Sequence, residues 1–316
     1  MTSFADCGLV VGHASDVTGA TGCTVVRGAE GPFRCAARVV GRATGTRELA
    51  LLEPAHLVDR VDAILLSGGS AYGLDAAAGV MRWMEEQGRG VNVGAGVVPI
   101  VPAAVVFDLA PLGSFTARPT PAMAYEACEA AVADVVEGSV GAGTGATVGK
   151  IRGPAFSVKG GLGAARVISG AVRVCALAVV NALGDVRDGS GAIIAGARTD
   201  KSEWLDTAGF MAGVNTAPSR FDALAGRNTT LCVVATNAAL GRAELAALAQ
   251  AASAALYRRI TPVGTLFDGD IVFATSPVTA AVTAAQAHVE ALAVIALEQA
   301  IERAVRTSAP GEIFRG

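Results

Sequence analysis

The sequence has few charged and few aromatic residues. Of its 316 residues 17% are charged and 5% aromatic, whereas 52% are hydrophobic. No cluster of Lys and Arg forms a basic stripe and the net charge is −3, so we expect no nucleic-acid partner. No apolar run reaches about 18 residues, which argues against a membrane span despite a mean hydropathy of +0.49. The first residues, MTSFADCGLVVGH, lack the regions of a signal peptide, so we expect a cytoplasmic protein.

Motifs for metal binding and for disulfide frameworks are also missing. The three histidines fit no triad or metal-ligand spacing, and no CxxC pair occurs. Several of the six cysteines fall in apolar runs, which is typical of buried free thiols in a reducing compartment. They are Cys7, Cys23, Cys35, Cys128, Cys175 and Cys232.

The hydrophobic pattern predicts strands in hairpins and about four Ala-rich helices. Two long strands are expected to meet at a Ser169-Gly170 turn, and a helix is expected over 121–138. Residues 198–228 show no clean period, which predicts an exposed, partly mobile linker. Helices this apolar should lie flat on a sheet. Two stacked sheets with helices outside both would explain the high hydropathy.

One segment, AGRNTTLCVVATNAAL over 225–240, changes at the Asn228-Thr229 bond from a polar, turn-prone pattern into a strand pattern. A Thr hydroxyl is a weak nucleophile unless a base lies beside it. If the bond before Thr229 were cut, the freed α-amine, with a pKa of about 7.7–8.0, would be such a base. The alternative is an ordinary turn followed by a β-branched strand start.

Two glycine-rich segments contain further candidates. VGAGTGATVGK ends at Lys150 but does not match a nucleotide-binding loop, because Thr144 replaces the first glycine and Ile151 follows the lysine. Lys150 could lie near a developing negative charge, or it could be a solvated loop residue. In LSGGSAYGLD, backbone N–H groups at a helix start could bind an oxyanion or carboxylate, with Tyr72 at the mouth. The alternative is a tight turn covered by the tyrosine.

Polar residues at the ends of apolar strands complete the set of candidates. Asn181 follows the apolar run VCALAVV and could donate a side-chain N–H to an oxyanion, or could form a turn with Gly184. Asp268 and Asp270 in FDGDIVFA are two residues apart at the start of a strand, so both should project to one face. Their repulsion would need a cation such as Lys150, although a polar turn would also explain them.

These segments together resemble a family of self-processing hydrolases typified by DmpA, which includes L-aminopeptidase/D-esterases, β-aminopeptidases and nylon-oligomer hydrolases. The resemblance runs from VGHASD and TGCTVVRG through GTRELALLEP, LSGGSAYGLDAAAGV, VVPIVPAAVVFDL and GAGTGATVGK to GRNTTLCVVATN and FDGDIVFA. It implies a four-layer α/β/β/α sandwich similar to N-terminal-nucleophile hydrolases and ornithine acetyltransferases. It also implies one hydrolase domain over 1–316, cut by the chain itself into fragments 1–228 and 229–316.

The resemblance assigns a role to each candidate residue. Cleavage would occur between Asn228 and Thr229. The expected catalytic residues are the nucleophile Thr229, the oxyanion donor Asn181, the adjacent Lys150, the acidic pair Asp268 and Asp270, and the turn residue Tyr72. No metal or organic cofactor is needed for this chemistry. The fragments should stay together, as an oligomer of several αβ units, with four favoured.

The resemblance implies an aminopeptidase or amidohydrolase that acts on short peptides, amides or esters through an acyl-enzyme. Threonine and Asp-Gly-Asp look closer to the nylon-oligomer hydrolases, whereas some members have Ser and Ser-x-Glu. An acyltransferase similar to ornithine acetyltransferases is one alternative. An uncut binding protein is another, and it would leave Lys150, Asn181 and the two aspartates without a joint purpose.

Overall fold

The computed structural model describes residues 2–213 and 227–308. The strands in this part of the chain are β1 (Thr2–Ser3), β2 (Leu9–Asp16), β3 (Thr21–Gly28), β4 (Phe33–Val39), β5 (Thr46–Arg47), β6 (Ala63–Ser67), β7 (Val91–Asn92), β8 (Val97–Val98), β9 (Ala103–Val105), β10 (Asp134–Val135), β11 (Thr147–Val148), β12 (Val158–Lys159), β13 (Gly161–Ser169), β14 (Val172–Asn181), β15 (Asp185–Arg187), β16 (Ile193–Ala195), β17 (Thr229–Thr236), β18 (Ile260–Thr261) and β19 (Ile271–Pro277). The helices are α1 (Ala77–Glu86), α2 (Pro121–Glu129), α3 (Thr207–Gly213), α4 (Arg242–Ala252), α5 (Ala254–Arg259) and α6 (Gln286–Arg306).

Two five-stranded sheets form the two central layers. The first has the strand order β2-β3-β6-β9-β5, and the second has the order β13-β14-β17-β19-β4. In the second sheet β13 and β14 form the predicted long hairpin, β14 and β17 are antiparallel, and β17 and β19 are parallel. Strand β17 therefore begins in the middle of a sheet with a partner on each side.

The side chains of β17 alternate between two cores. Leu231 and Val233 belong to the cluster between the sheets, which also contains Leu66 of the first sheet. Cys232 and Val234 belong to the cluster between the second sheet and helices α4, α5 and α6. A strand that is apolar on both faces matches a sheet covered on both sides.

Helices cover the outer face of each sheet. Residues of α1 and α2 form one cluster with β3, β6 and β9, and residues of α4, α5 and α6 form another with β13, β14 and β17. The order of layers is helices, sheet, sheet, helices. The predicted four-layer α/β/β/α sandwich is therefore confirmed, and two covered sheets explain the high hydropathy.

One predicted helix is shorter in the structure. The helix expected over 121–138 ends at Glu129, because the residues after it pair with strands. Val132 bridges to Val11, and Val135 of β10 pairs with Thr2 of β1. Strand pairing in the folded chain outweighs the helix propensity of this Ala-rich segment.

The segment expected to be an exposed, partly mobile linker is largely exposed over 198–213, as predicted, but it contains regular structure. Arg198 bridges to Trp204, and α3 follows. Asp185 accepts hydrogen bonds from the backbone N–H and the hydroxyl of Thr207, at 2.5 and 2.7 Å, which hold the first residue of α3. Residues 214–226 of the expected linker lie outside the described residues.

Three expectations, on the cysteines, on membrane spans and on metal sites, can be compared with the described residues. All six cysteines are buried and have free thiols, as predicted. Within 2–213 and 227–308, no helix combines the length and apolar character that crossing a membrane requires. In the same ranges no group of three His, Cys, Asp or Glu side chains is arranged to hold a metal ion.

Candidate active site

Thr229 is the first residue of β17 and pairs in register with Asn181, the last residue of β14. Both residues are buried. The Thr229 hydroxyl donates to the carbonyl oxygen of Asn228 at 2.6 Å, and the backbone N–H of Gly269 donates to the same oxygen at 2.8 Å. The carbonyl before Thr229 thus has the hydroxyl and a polarising donor beside it.

The turn that supplies this donor fits only because its central residue is a glycine. A Cβ on Gly269 would lie 2.7 Å from the Thr229 Oγ and 2.8 Å from the carbonyl oxygen of Ala43. The N–H groups of Arg42 and Ala43 donate to the carbonyl oxygen of Asp268 at 2.7 and 2.8 Å. These bonds hold the Asp-Gly-Asp turn against Thr229.

The side-chain amide of Asn181 is oriented by four hydrogen bonds. Its Oδ1 accepts from the N–H of Thr147 at 3.0 Å and from the Lys150 Nζ at 2.7 Å. Its Nδ2 donates to the carbonyl oxygens of Phe107 at 3.0 Å and Arg227 at 3.3 Å. An amide oxygen only accepts and an amide nitrogen only donates, so these partners define one orientation. One N–H is thereby directed at the chain just before Asn228.

Lys150 lies beside this amide. Its Nζ also donates to the carbonyl oxygens of Asn181 at 2.8 Å and Arg227 at 3.0 Å. The residue before it, Gly149, has φ of 77°, and a Cβ there would lie 2.0 Å from the backbone nitrogen of Ala197. Burial lowers the pKa of Lys150 to about 7, although the negative charge of Asp268 acts in the opposite direction. Lys150 can therefore be charged or neutral near neutral pH.

The two aspartates lie buried behind Thr229. The Oδ1 of Asp270 accepts the backbone N–H of Thr230 at 2.6 Å, which fixes the start of β17. The Oδ2 of Asp268 accepts the N–H and the hydroxyl of Thr265 at 2.9 and 2.6 Å. Burial raises the pKa of Asp270 to about 7, and the charge of Asp268 adds to this. Burial also raises the pKa of Asp268, whereas the Lys150 ammonium lowers it.

Tyr72 is not brought into this cluster. Its side chain is 54% exposed and packs edge-on against the ring of Phe115, with ring centroids 6.5 Å apart. The guanidinium of Arg118 lies 3.5 Å from the centre of the Tyr72 ring. The structure thus brings together Thr229, Asn228, Asn181, Lys150, Asp268 and Asp270, and places Tyr72 at the surface.

A small cavity of about 40 Å³ adjoins the cluster. Its lining is mainly apolar and includes Phe107, Pro111 and Pro154, with Lys150 and Arg227 as the ionisable lining residues. An apolar pocket with a few polar groups beside a reactive residue is the usual form of a small-molecule site. At about 40 Å³ the cavity is far smaller than a whole-ligand pocket of about 300–1,000 Å³, so in the uncut chain it is a candidate site only for a small acyl group.

Sequence reasoning missed the contributions of the main chain. The Gly269 and Thr147 N–H groups and the Phe107 carbonyl depend on how distant segments meet, and no residue type encodes them. It also missed Asp108, for which a signal exists, since it is the one charged residue in the run VVPIVPAAVVFDLA. A charged side chain in such a run is expensive to bury, and acids are seldom fully buried without a partner.

Comparison with known proteins gives matches over most of the chain. The model of peptidase family S58 matches residues 5–310. An uncharacterized aminopeptidase of Mycobacterium tuberculosis is 45% identical over 240 residues, covering 74% of this chain and 67% of that protein. A 6-aminohexanoate-oligomer endohydrolase of Kocuria sp. is 31% identical over 270 residues, covering 85% of this chain and 73% of that protein.

Solved structures match the fold at lower sequence identity. The L-aminopeptidase D-Ala-esterase/amidase of Ochrobactrum anthropi, described as a variant of the Ntn hydrolase fold, has a TM-score of 0.69 at 20% identity, covering 95% of this chain and 84% of that chain. A β-aminopeptidase of Burkholderia sp. has a TM-score of 0.68 at 22% identity, with coverages of 96% and 86%. Both likenesses concern the fold alone.

Proposed function

The chain belongs to peptidase family S58, and from that premise we propose that it is a self-processing amidohydrolase whose nucleophile is an N-terminal threonine, Thr229. The observation that carries the proposal is the pair of donors on the Asn228 carbonyl oxygen, the Thr229 hydroxyl and the Gly269 N–H. A reactive hydroxyl beside a polarised carbonyl, at the buried start of a central strand, is the arrangement that cleavage of this bond requires.

In the first reaction the Thr229 Oγ attacks the carbonyl carbon of Asn228, and the Gly269 N–H stabilises the negative charge on the oxygen. The Oγ–C bond forms and the C–N bond breaks, while the hydroxyl proton passes to the Thr229 nitrogen. Water then hydrolyses the ester, which leaves a carboxylate on Asn228 and a free amine on Thr229. The fragments would comprise residues 1–228 and 229–316.

In the second reaction the freed amine of Thr229 accepts the Oγ proton as Oγ attacks a substrate amide or ester. General-base catalysis of this kind contributes about 10²–10⁴ in rate. One Asn181 N–H now donates to the Arg227 carbonyl oxygen. Once that carbonyl withdraws after cleavage, the same N–H can bind the substrate's oxyanion. Protonation of the leaving amine and attack by water complete the cycle. Lys150, Asp268 and Asp270 would set the position and the pKa of the Thr229 amine.

We propose short peptides and amides as substrates, with N-terminal amino acids as the released groups. One observation favours a second candidate, an endo-acting amide hydrolase like the 6-aminohexanoate-oligomer endohydrolase of Kocuria sp.. Among the described residues, the ionisable ones that line the cavity are Lys150 and Arg227, both basic, so a substrate ammonium would meet no carboxylate in this part of the lining. A neutral acyl group would fit this lining better.

The two candidates differ in their response to a blocked amine. Alanine p-nitroanilide and its N-acetyl derivative present the same bond with and without an ammonium group. An aminopeptidase should hydrolyse the free amine faster by tenfold or more. The amide-hydrolase alternative predicts equal rates or faster hydrolysis of the acetylated compound.

The nucleophile is tested with two buried threonines of the second sheet. Thr229→Ala should abolish hydrolysis of both compounds, because it removes the hydroxyl that forms the acyl-enzyme. The matched control is Thr275→Val on β19, which also removes a buried hydroxyl but lies away from the cluster around Thr229. The control should keep hydrolytic activity within threefold of the unaltered protein. An active Thr229→Ala protein would contradict the proposal.

A further inference from the structure

Asp108 is a buried acid that neither reaction uses. It is 1% exposed. Its Oδ1 accepts the backbone N–H of Gly69 at 2.6 Å, and its Oδ2 accepts the hydroxyl of Thr21 at 2.7 Å. Desolvating a carboxylate costs several kcal/mol unless its partners compensate. An acid retained at such a position is a candidate for a role in the neighbouring site.

The packing around Asp108 leaves no room for other side chains. A Cβ on Gly68 would lie 2.0 Å from the Asp108 Oδ2, and a Cβ on Gly145 would lie 2.7 Å from the Asp108 Cβ. Asp108 therefore touches the turn that begins at Gly68 and the glycine-rich loop that ends at Lys150. The position of its backbone is fixed from both sides.

That backbone leads directly to the amide of Asn181. The residue before Asp108 is Phe107, whose carbonyl accepts one N–H of Asn181 at 3.0 Å. Fixing Asp108 therefore fixes one of the four partners that orient the amide.

The opposite side of the Asn181 amide depends on a second lysine, Lys159. Its Nζ donates to the carbonyl oxygens of Gly143, Ala146 and Gly160 at 2.9, 3.1 and 3.0 Å. The residue after Ala146 is Thr147, whose N–H donates to the Asn181 Oδ1. Lys159 thus fixes the loop that binds the amide oxygen, as Asp108 fixes the segment that binds the amide nitrogen.

We propose that Asp108 and Lys159 are positioning residues that hold the Asn181 amide from both sides, so that the N–H now bound to the Arg227 carbonyl is directed at the substrate oxyanion once that carbonyl withdraws. This inference rests on the proposed function of the same site. The two charges also stabilise each other. The Lys159 ammonium opposes the effect of burial, which raises the pKa of Asp108 to about 6, and the Asp108 carboxylate opposes the effect of burial on Lys159.

The test compares Asp108→Asn with Asp62→Asn, using hydrolysis of alanine p-nitroanilide and its N-acetyl derivative. Asp62 is a matched control because it is also a buried acid with a backbone partner, the N–H of Ile100 at 2.9 Å. Asp108→Asn should lower kcat by tenfold or more and change KM by less than threefold, since Asn181 acts on the transition state. Asp62→Asn should keep both constants within twofold.

Self-cleavage gives a second readout on the same preparations. In the structure Gly269, and not Asn181, donates to the Asn228 carbonyl oxygen. Asp108→Asn should therefore still be cut into two fragments while its kcat is low. An uncut Asp108→Asn chain with the thermal stability of the unaltered protein would overturn the assignment to Asn181.

A double-mutant cycle tests whether the two residues act together. Lys159→Met should also lower kcat, and the double variant Asp108→Asn/Lys159→Met should lose less than the product of the two single losses. Independent, multiplicative losses would overturn the joint role of the pair.

A milder variant keeps the inference testable if Asp108→Asn fails to fold. Thr21→Val keeps the Asp108 carboxylate but removes one of its hydrogen bonds, and should lower kcat by about threefold or more with KM unchanged. Thr275→Val, at another buried threonine, should leave kcat unchanged. An unaltered kcat in Thr21→Val or Asp108→Asn would overturn the inference alone. Failure of the unaltered protein to hydrolyse either compound would instead count against the proposed function.

Discussion

At the scale of single residues, the proposed self-cleavage depends on the donors that reach the carbonyl oxygen of Asn228. A hydroxyl and a backbone N–H reach it together, and the N–H belongs to Gly269. The hydroxyl could be anticipated from the Asn228-Thr229 boundary. The N–H could not, because it is defined by the path of the main chain and not by a side chain.

Gly269→Ala should therefore impair self-cleavage. The added Cβ would lie 2.7 Å from the Thr229 Oγ, closer than a carbon and a hydroxyl oxygen can approach, so the turn must move away from the Asn228 carbonyl. Loss of one oxyanion donor costs about 10²–10³ in rate. The fraction of cut chain can be followed by denaturing gel during cell-free synthesis. Gly96→Ala is the control, since a Cβ there meets nothing within 4 Å, and cleavage at equal rates in the two variants would exclude the role of Gly269.

The buried Lys159 should make the free energy of unfolding depend on pH. Burial lowers its pKa from 10.5 to about 7, so between these values the unfolded chain binds more protons there than the folded chain. Stability contributed by this group must therefore rise with pH from about 7 to about 10. We therefore compare the protein that keeps Lys159 with the Lys159→Met variant. The difference between their free energies of unfolding, the first minus the second, should grow by about 1 kcal/mol per pH unit.

Urea unfolding at pH 7.5 and 9 measures this difference, with both proteins in the Thr229→Ala background so that a single chain unfolds. Contributions from the buried thiols are common to both proteins and cancel. A difference that stays constant or shrinks with pH would show that the ammonium of Lys159 is charged in the folded state throughout this range.

At the scale of elements, the sequence pattern predicted the strongly apolar strands correctly but failed where a segment pairs with a distant strand. The hairpin of β13 and β14 and the strand β17 have strong apolar patterns, and the structure has them where they were predicted. The helix over 121–138 was predicted too long, because Val132 and Val135 are drawn into strand pairs with distant residues. Local propensity contains no information about such partners.

In the segment 198–213 local sequence again fails to predict the structure, here because regular structure forms without a periodic pattern. It has no clean period, yet it contains a short helix whose first residue is held by a buried carboxylate, that of Asp185. Asp185 accepts from the N–H and hydroxyl of Thr207 and from the N–H of Ala197 at 3.0 Å. Contacts of this kind with residues elsewhere in the chain leave no periodic pattern within the segment itself.

Asp185→Ala should destabilise the segment 198–213. Three buried donors would lose their acceptor, at a cost of about 1–3 kcal/mol each before relaxation. Hydrogen exchange of residues 198–213 should accelerate, again in the Thr229→Ala background. Asp200→Ala is the control, since its side chain is 80% exposed and it should change exchange little. Equal protection in both variants would contradict the anchoring role of Asp185.

At the scale of the whole molecule, the proposed cut lies at the beginning of a central strand. Fragment 229–316 would supply β17 and β19 to the second sheet, and fragment 1–228 would supply β13, β14 and β4. Helix α6 of the second fragment also packs in one cluster with residues of β13 and β14. Neither fragment could leave without opening both cores.

The fragments should therefore co-elute at a ratio of one to one in size-exclusion chromatography without denaturant, and separate only in denaturant. The same column gives the number of αβ units in the assembly, for which four is the prediction. Separation of the fragments in native buffer would contradict the conclusion that both fragments contribute strands to one sheet in the cut protein.

The four layers could be predicted at this scale because apolar residues on both faces of several strands require cover on both sides. The resemblance of the motifs supplied the order of catalytic residues along the chain. The resemblance could not predict that Asp108 and Lys159 position the Asn181 side-chain amide. These two residues act on the amide only through neighbouring backbone groups, and those contacts exist only in the folded chain.

The most direct test of the central claim is the intact mass of the purified protein under denaturing conditions. Self-cleavage before Thr229 predicts two species of about 23 and 9 kDa from a chain of 31.5 kDa, the smaller with threonine as its first residue. Thr229→Ala should give one species of full mass, and Thr275→Val should give the two fragments. A single full-length mass for the unaltered protein, stable over days at neutral pH, would remove the proposed base and contradict the account.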